Sequence, residues 1–258
     1  MPRALLAIVA LVVVLLTVAV MAPAQWLASG VASATGGRVV LAEATGSVWN
    51  GQATLVLASG SEPGATRASL PERLSWRLSP WALFTGTVDV AFSHPSALSQ
   101  PLAVRTGLFG GTLNAGPTTV RMPAALLTGL GAPWNTVRPG GVLSVSWDKL
   151  DVSPGRFQGM VVAEWQFASS SLTPVSPFGH YRLQTNGVFP GTQLNLTTIS
   201  GPLELLGSGT IAEGGRLRFQ GRAQPLAGTD DAVKSQLNGL LSLLGRRDGD
   251  AAILNFGT

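Results

Sequence analysis

The chain contains no cysteine. Disulfides, thiolate metal sites and a cysteine nucleophile are therefore excluded, and no redox compartment is implied. Histidine is present twice and tyrosine once, and the only lysines are Lys149 and Lys234. Few side chains are left for acid–base, Schiff-base or zinc chemistry. Charged residues make up 12% of the 258 positions, about half the share of ~25% in an ordinary soluble domain. The formal net charge of +4 reflects arginine outnumbering a small acidic set, so it implies at most a weak attraction to anionic surfaces. Neither lysine follows a glycine, so no phosphate-cradling Gly-Lys-Ser/Thr loop exists. There is no Gly-x-Ser-x-Gly elbow and no His-Glu-x-x-His pair. With lysine so scarce and no reading module visible, nucleic acid is not expected as a partner.

What the sequence has in excess is glycine (32) and proline (17) within a chain that is 45% hydrophobic. That combination argues against disorder, coiled coils and helical bundles, and favours many short strands joined by turns. Ala4 to Ala22 is an apolar run broken only by the hydroxyl of Thr17, preceded by Arg3 and ended by Pro23. As a helix it would span roughly 28 Å, close to a bilayer core of about 30 Å. Arg3 and the α-amine predict that the N-terminus stays cytoplasmic and residues 25–258 are exported. Trp26 stands where an interfacial aromatic would. A cleaved signal peptide is the competing reading of residues 1–24, because Ala22-Pro23-Ala24 places small residues as a cleavage site would. Its core is longer than the usual ~7–15 residues, which favours a retained anchor. No second run approaches 18 apolar residues, so a polytopic protein is excluded.

Beyond the anchor, alternation dominates. Gly51, Ala53, Leu55 and Leu57 share one face against Asn50, Gln52 and Thr54. The same period places together Val88, Val90 and Phe92; Leu143, Val145 and Trp147; Val161, Ala163, Trp165 and Phe167; and Leu194 and Leu196. It is clearest for Leu217, Phe219, Gly221 and Ala223 against Arg216, Arg218, Gln220 and Arg222. Such strands form antiparallel sheet covered on one side. The expected fold is mainly β: an N-terminal transmembrane helix, then an antiparallel β-rich region with one or two short helices. Met122 to Leu130 is one such helix, with Pro123 in its first turn. Residues 231–244 are the other: Val233, Leu237, Leu240, Leu241 and Leu244 form a stripe, Thr229 or Asp230 caps the start, and Arg246 and Arg247 suit the C-terminal dipole. Ala251 to Phe256 reads as a closing strand. A faint repeat suggests two related halves divided near 131–141.

Candidate chemistry is sparse. Gly207 to Ala212 matches a loose dinucleotide pattern but leads into a strand, so no helix N-terminus would meet a phosphate. His94 and His180 read as loop or surface histidines. Asp148 and Asp151 flank Lys149 and read as turn and solvated charge. Trp49, Trp76, Trp81, Trp147 and Trp165 read as core. The stripe of Arg216, Arg218 and Arg222 is the one surface feature that suggests a partner, an acidic protein or anionic headgroups, beside the plainer reading of a solvated strand face. No catalytic, metal or cofactor residue is assigned.

The segment Thr45-Gly46-Ser47-Val48-Trp49-Asn50-Gly51-Gln52-Ala53 resembles the Gly-x-x-Trp-x-Gly-x-Ala signature of the type II secretion system protein N (general secretion pathway protein N) family. Leu74 to Val88, containing Trp76 and Trp81, is similar to the family's next block. Gly215 to Ala223, containing Gly221, resembles its late strand, and the final amphipathic helix resembles its C-terminal block. Gly46, Trp49, Gly51, Trp76 and Gly221 are structural in this pattern. The resemblance implies a single-pass inner-membrane protein of Gram-negative bacteria, its bulk periplasmic, with no enzymatic activity. Its partners would be the secretin or the inner-membrane platform of the type II secretion machinery. Long one-sided sheets behind an anchor also resemble periplasmic AsmA-like proteins, which hold acyl chains along an apolar face. Lipid is the alternative ligand on that reading.

Overall fold

The computed structural model describes residues 2–153, 156–186, 191–212 and 216–257, without the side chains of 2–4, 12, 15, 16, 19, 156 and 157. Strands account for 49% of the chain, arranged as two antiparallel sheets. The first contains β1 (Val39–Gly46), β2 (Asn50–Ala58), β3 (Arg67–Ser69), β4 (Leu74–Leu78), β5 (Thr87–Ser93), β6 (Leu102–Gly107), β7 (Leu113–Ala115), β10 (Leu150–Ser153) and β11 (Arg156–Gln158). They lie in the order β1-β2-β4-β5-β6-β7-β10-β11, with β3 also paired to β2. The second contains β8 (Thr118–Pro123), β9 (Gly140–Trp147), β12 (Val161–Ser169), β13 (Gly179–Asn186), β14 (Thr192–Ser200), β15 (Leu203–Ile211), β16 (Leu217–Pro225), β17 (Arg246–Asp248) and β18 (Ala251–Phe256). Its order is β17-β18-β16-β15-β14-β13-β12-β9-β8.

One bent ribbon joins the two sheets. Leu150 pairs with Ala115 in the first, and Trp147 pairs with Thr118 in the second. Between these pairs both strands turn a corner, at Gly116-Pro117 on one and Asp148-Lys149 on the other. The Trp147 indole braces the corner by donating to the Gly116 carbonyl at 2.8 Å. Proline and glycine suit this point because the ladder is interrupted there.

The helices α1 (Pro2–Val20), α2 (Ala24–Ala34), α3 (Pro80–Phe84), α4 (Trp134–Val137) and α5 (Asp231–Leu244) cover only parts of the sheets. α5 lays Leu237, Leu240 and Leu241 on the second sheet against Tyr181, Leu203, Ala223 and Ala252. Burying each of these leucines contributes about 1.5–3 kcal/mol. Trp165, Phe178 and Tyr181 close one side, with ring centroids 5.6–6.2 Å apart. Tyr181 is 3% exposed and donates its hydroxyl to the Leu203 carbonyl at 2.9 Å. On the first sheet α2 packs over β1 and seats Ala24 against Ala53 and Trp76. A third cluster joins Leu70, Ala97 and Leu126 beneath the 3-10 helix Ala124–Leu130. Elsewhere the apolar faces are less covered: Val88, Val90, Phe92, Val104, Val145 and Ala163 are all half-buried. The accessible surface is 14994 Å², against about 10,700 Å² for a compact monomer of this mass. The exposed helix α1 and the partly covered sheet faces both contribute to this excess.

At the N-terminus α1 is an uninterrupted 19-residue helix. Among the described residues, no helix is long and apolar enough to cross a membrane.

Several expectations are corrected. β12 carries a bulge between Gln166 and Ser169. Phe167 sits there at φ 53° and is 70% exposed, while Ala168 takes the buried place. The alternation that put Phe167 beside Trp165 fails because the extra residue turns the strand over. Met122 and Pro123 end β8 rather than start a helix, and the turns after them are 3-10. Arg246 and Arg247 belong to β17, leaving no basic residue in the last turn of α5. His94 is buried at 5% exposure, its Nδ1 accepting the Ala97 amide at 2.9 Å. Such local capping of a loop backbone explains a buried loop histidine. His180 lies within β13 rather than in a loop.

Candidate functional site

The polar side of the second sheet is built by register. Gln184 pairs with Asn195, Asn195 with Ser208, Ser208 with Gln220 and Gln220 with Asn255. These five side chains form one row across five strands. The row on one side runs Asn186, Gln193, Thr210 and Arg218; on the other, Arg182 pairs with Thr197 and Leu206 with Arg222. Arg218 and Arg222 thus bracket the amide row, about 13 Å apart at 3.3 Å per residue. A shallow depression of about 540 Å³ lies over the first two rows, lined by Asn186, Gln193, Asn195, Thr210, Arg218 and Gln220. A second, of about 510 Å³, continues past Asn195, Gln220, Arg222 and Asn255.

Arg216, Arg218 and Arg222 are all exposed. Among the described residues none of them has a carboxylate within 4.0 Å. Arg216 stands just before β16, and the other two point from within it. Two exposed guanidinium forks beside a row of amides and hydroxyls can bind carboxylates and peptide carbonyls over a broad patch. Farther along the same face Arg182 is committed elsewhere. Its Nε donates to Glu164 at 2.8 Å, and Gln166 donates to the other Glu164 oxygen at 3.1 Å. The Arg182 hydrogen bond, then that from Gln166, holds the Glu164 carboxyl below its usual range.

The opposite, apolar side explains the glycines of the late strand. A Cβ on Gly207 would collide with the ring of Phe219, and one on Gly221 would press on the same ring. Phe219 lies over strand positions left bare for it, which is the use of glycine where another group approaches closely.

The Gly-x-x-Trp-x-Gly motif serves the other sheet. Gly46 ends β1 at φ 88°, a conformation glycine adopts without strain. Gly51 pairs with Trp76, and a Cβ at Gly51 would strike the Trp76 ring. Trp76 is 2% exposed and donates to the Val48 carbonyl at 3.0 Å. Trp49, half-buried, holds the turn through its carbonyl, which accepts the Leu78 amide at 2.7 Å. Trp147 and Trp165 are half-buried; Trp165 packs against the core under α5, whereas Trp147 braces the strand corner through its bond to Gly116. Trp81 is not core: it is 78% exposed, because Pro80 starts the short helix α3 that lifts it off the sheet.

The remaining sequence candidates are structural. Gly207 to Ile211 lie inside β15. Asp151 pairs with Lys149 at 3.1 Å, and Asp231 with Lys234 at 2.7 Å. Among the described residues no group of three His, Asp or Glu could hold a metal ion.

The geometry defines an extended antiparallel β scaffold whose chemistry lies in broad polar faces. A family model for type II secretion system (T2SS), protein N, matches residues 37–254. The chain belongs to that family, and through it to type II secretion. No curated protein and no solved structure matches the chain significantly.

Proposed function

We propose that this protein is a non-catalytic accessory or assembly component of the type II secretion machinery. It is a membrane-tethered β module that contacts the secretin or the inner-membrane platform. Residues 4–22 hold it in the inner membrane as a single pass, with its bulk in the periplasm. The observation that carries the contact is the polar face of β13–β16, where Arg218 and Arg222 stand exposed on either side of the Gln184–Asn195–Ser208–Gln220 row, without a carboxylate partner among the described residues. Retention of the anchor is supported by the packing at its C-terminal end. Ala22 and Ala24 are 7% and 1% exposed, so cleavage after Ala24 would open a packed site beneath Trp76.

The test is in-cell cross-linking from a photoreactive residue at Gln220, with mass spectrometry of the adducts. Enrichment of secretin or platform proteins, lost in R218E/R222E, is the expected result, together with loss of exoprotein secretion but not of exoprotein synthesis. Adducts unchanged by the charge reversal would remove this face from the proposal. A lipid-handling role is the second reading, favoured by the half-buried apolar strands at the middle of both sheets. Phospholipid or lipopolysaccharide adducts without secretion proteins would support it.

A further inference from the structure

At one end of the first sheet the chain leaves large apolar side chains fully in solvent. Trp81 and Phe84 of α3 are 78% and 83% exposed, and Phe109, after β6, is 96% exposed with Leu108 beside it at 44%. The Trp81 and Phe84 rings lie 5.8 Å apart. The two loops are tied together, since the Leu108 amide donates to the Gly86 carbonyl at 2.9 Å. Neither carries a charge: nothing ionisable lies between Arg77 and Asp89, or between Arg105 and Arg121.

This end of the sheet is also where α1 arrives. Val48 donates to the Ala22 carbonyl at 2.8 Å, and Leu78 to the Trp49 carbonyl at 2.7 Å. Pro23 bridges Ser47. Backbone hydrogen bonds thus lead from the end of α1, through the β1–β2 turn and the end of β4, to the start of α3, with no free linker. The aromatic loops stand three strand spacings from that exit, about 15 Å at ~4.8 Å each. Trp26, in the first turn of α2 and so close in sequence to the end of α1, is 57% exposed.

We propose that the Trp81–Phe84 and Leu108–Phe109 loops form a second membrane footing that dips into the phospholipid headgroup layer beside the anchor. Tryptophan and phenylalanine without charge suit the interface, and a short rigid connection to α1 holds them at its level. Two footings about 15 Å apart, at three strand spacings, would fix the tilt of the first sheet over the bilayer. They would so present its other end, and the second sheet, to the periplasm. The proposal rests on α1 being a retained membrane anchor.

Because the chain has no cysteine, single introduced cysteines can be labelled cleanly. The full chain is placed in phosphatidylcholine nanodiscs, and an environment-sensitive dye is attached in turn at F84C, F109C, S61C and L11C. Ser61 lies in the loop after β2, at the opposite end of the sheet, and is exposed. Nitroxide lipids labelled at the headgroup or at the acyl-chain end then quench the dye by depth. The expected result is headgroup quenching at F84C and F109C at least threefold above that at S61C, with L11C quenched by the chain-end nitroxide. Quenching at F84C and F109C no stronger than at S61C, with L11C still quenched, overturns the footing and leaves the anchor standing. An unquenched L11C overturns the anchor itself and, with it, a second footing placed beside that anchor.

Discussion

Tyr181 is the only tyrosine in the chain, which makes its titration readable without interference from another phenol. Burial pushes its hydroxyl far above the ordinary phenol value. Its folded-state pKa is raised, so the stability it contributes is fully present below the unfolded value, near ~10, and falls as pH rises towards the folded one. Each pH unit in that window costs ~1.36 kcal/mol, so at about pH 11.5 the folded protein has lost ~2 kcal/mol through this residue. Tyr181→Phe keeps the ring and removes the titration. It also removes the 2.9 Å hydrogen bond to Leu203, a loss of about 1–1.5 kcal/mol at neutral pH. The variant should therefore be less stable at about pH 7, match the wild type near about pH 11, and exceed it above that. Lys149 and Lys234 are common to both proteins, so their contributions cancel in the difference. The assay is urea unfolding of the full chain in nanodiscs by circular dichroism at neutral and alkaline pH, with tyrosinate absorbance followed on the folded protein. A tyrosinate band rising near pH ~10 before unfolding, or a stability difference that does not change with pH, would refute the reasoning.

The packing supports three further predictions. Leu237→Ala should cost about 2–5 kcal/mol, since the side chain is 0% exposed against the second sheet; a urea midpoint shifted by less than a quarter of that would show the site collapses around the change. Glu164→Gln should flatten the acid limb of stability, read from urea midpoints measured across acidic pH. The depressed folded-state pKa of Glu164 means that its contribution is present above the ordinary carboxylate value and is lost as pH falls through the folded one. Gly51→Ala should destabilise by about 1–3 kcal/mol through overpacking against Trp76 and the Ser47 carbonyl. An unchanged melting temperature would mean that the ring moves aside.

Much of the strand layout was legible because the side-chain period of a one-sided sheet is two. Residues 251–256 and 231–244 form the strand and the helix that the apolar pattern indicates, although Asp230, at the N-cap of α5, makes no side-chain capping hydrogen bond. The apolar face of β16 holds Phe219 and Ala223 buried, with Arg218 and Arg222 outside. Alternation failed at Phe167, where a bulge adds one residue and reverses the facing of the residues after it. It also misplaced Trp81, since hydrophobicity alone cannot tell a core ring from one lifted clear by a proline-started turn.

The sequence by itself determined the strand-rich class, the apolar N-terminal run, the Gly-Trp-Gly motif and the arginines along one strand face. Each of these is a local property, carried by periodicity, length or the conformational range of glycine. Only the tertiary structure decided which strands are neighbours, and so that Gln184, Asn195, Ser208 and Gln220 form one row with Arg218 and Arg222 on its sides. Nothing local decided the return of β10 and β11 to the first sheet after β8 and β9 had joined the second. The meeting of Trp81, Phe84 and Phe109 at the end of the sheet where α1 arrives is equally non-local. Register between distant strands is set by the sum of many weak cross-strand contacts, and no single stretch of sequence carries that sum.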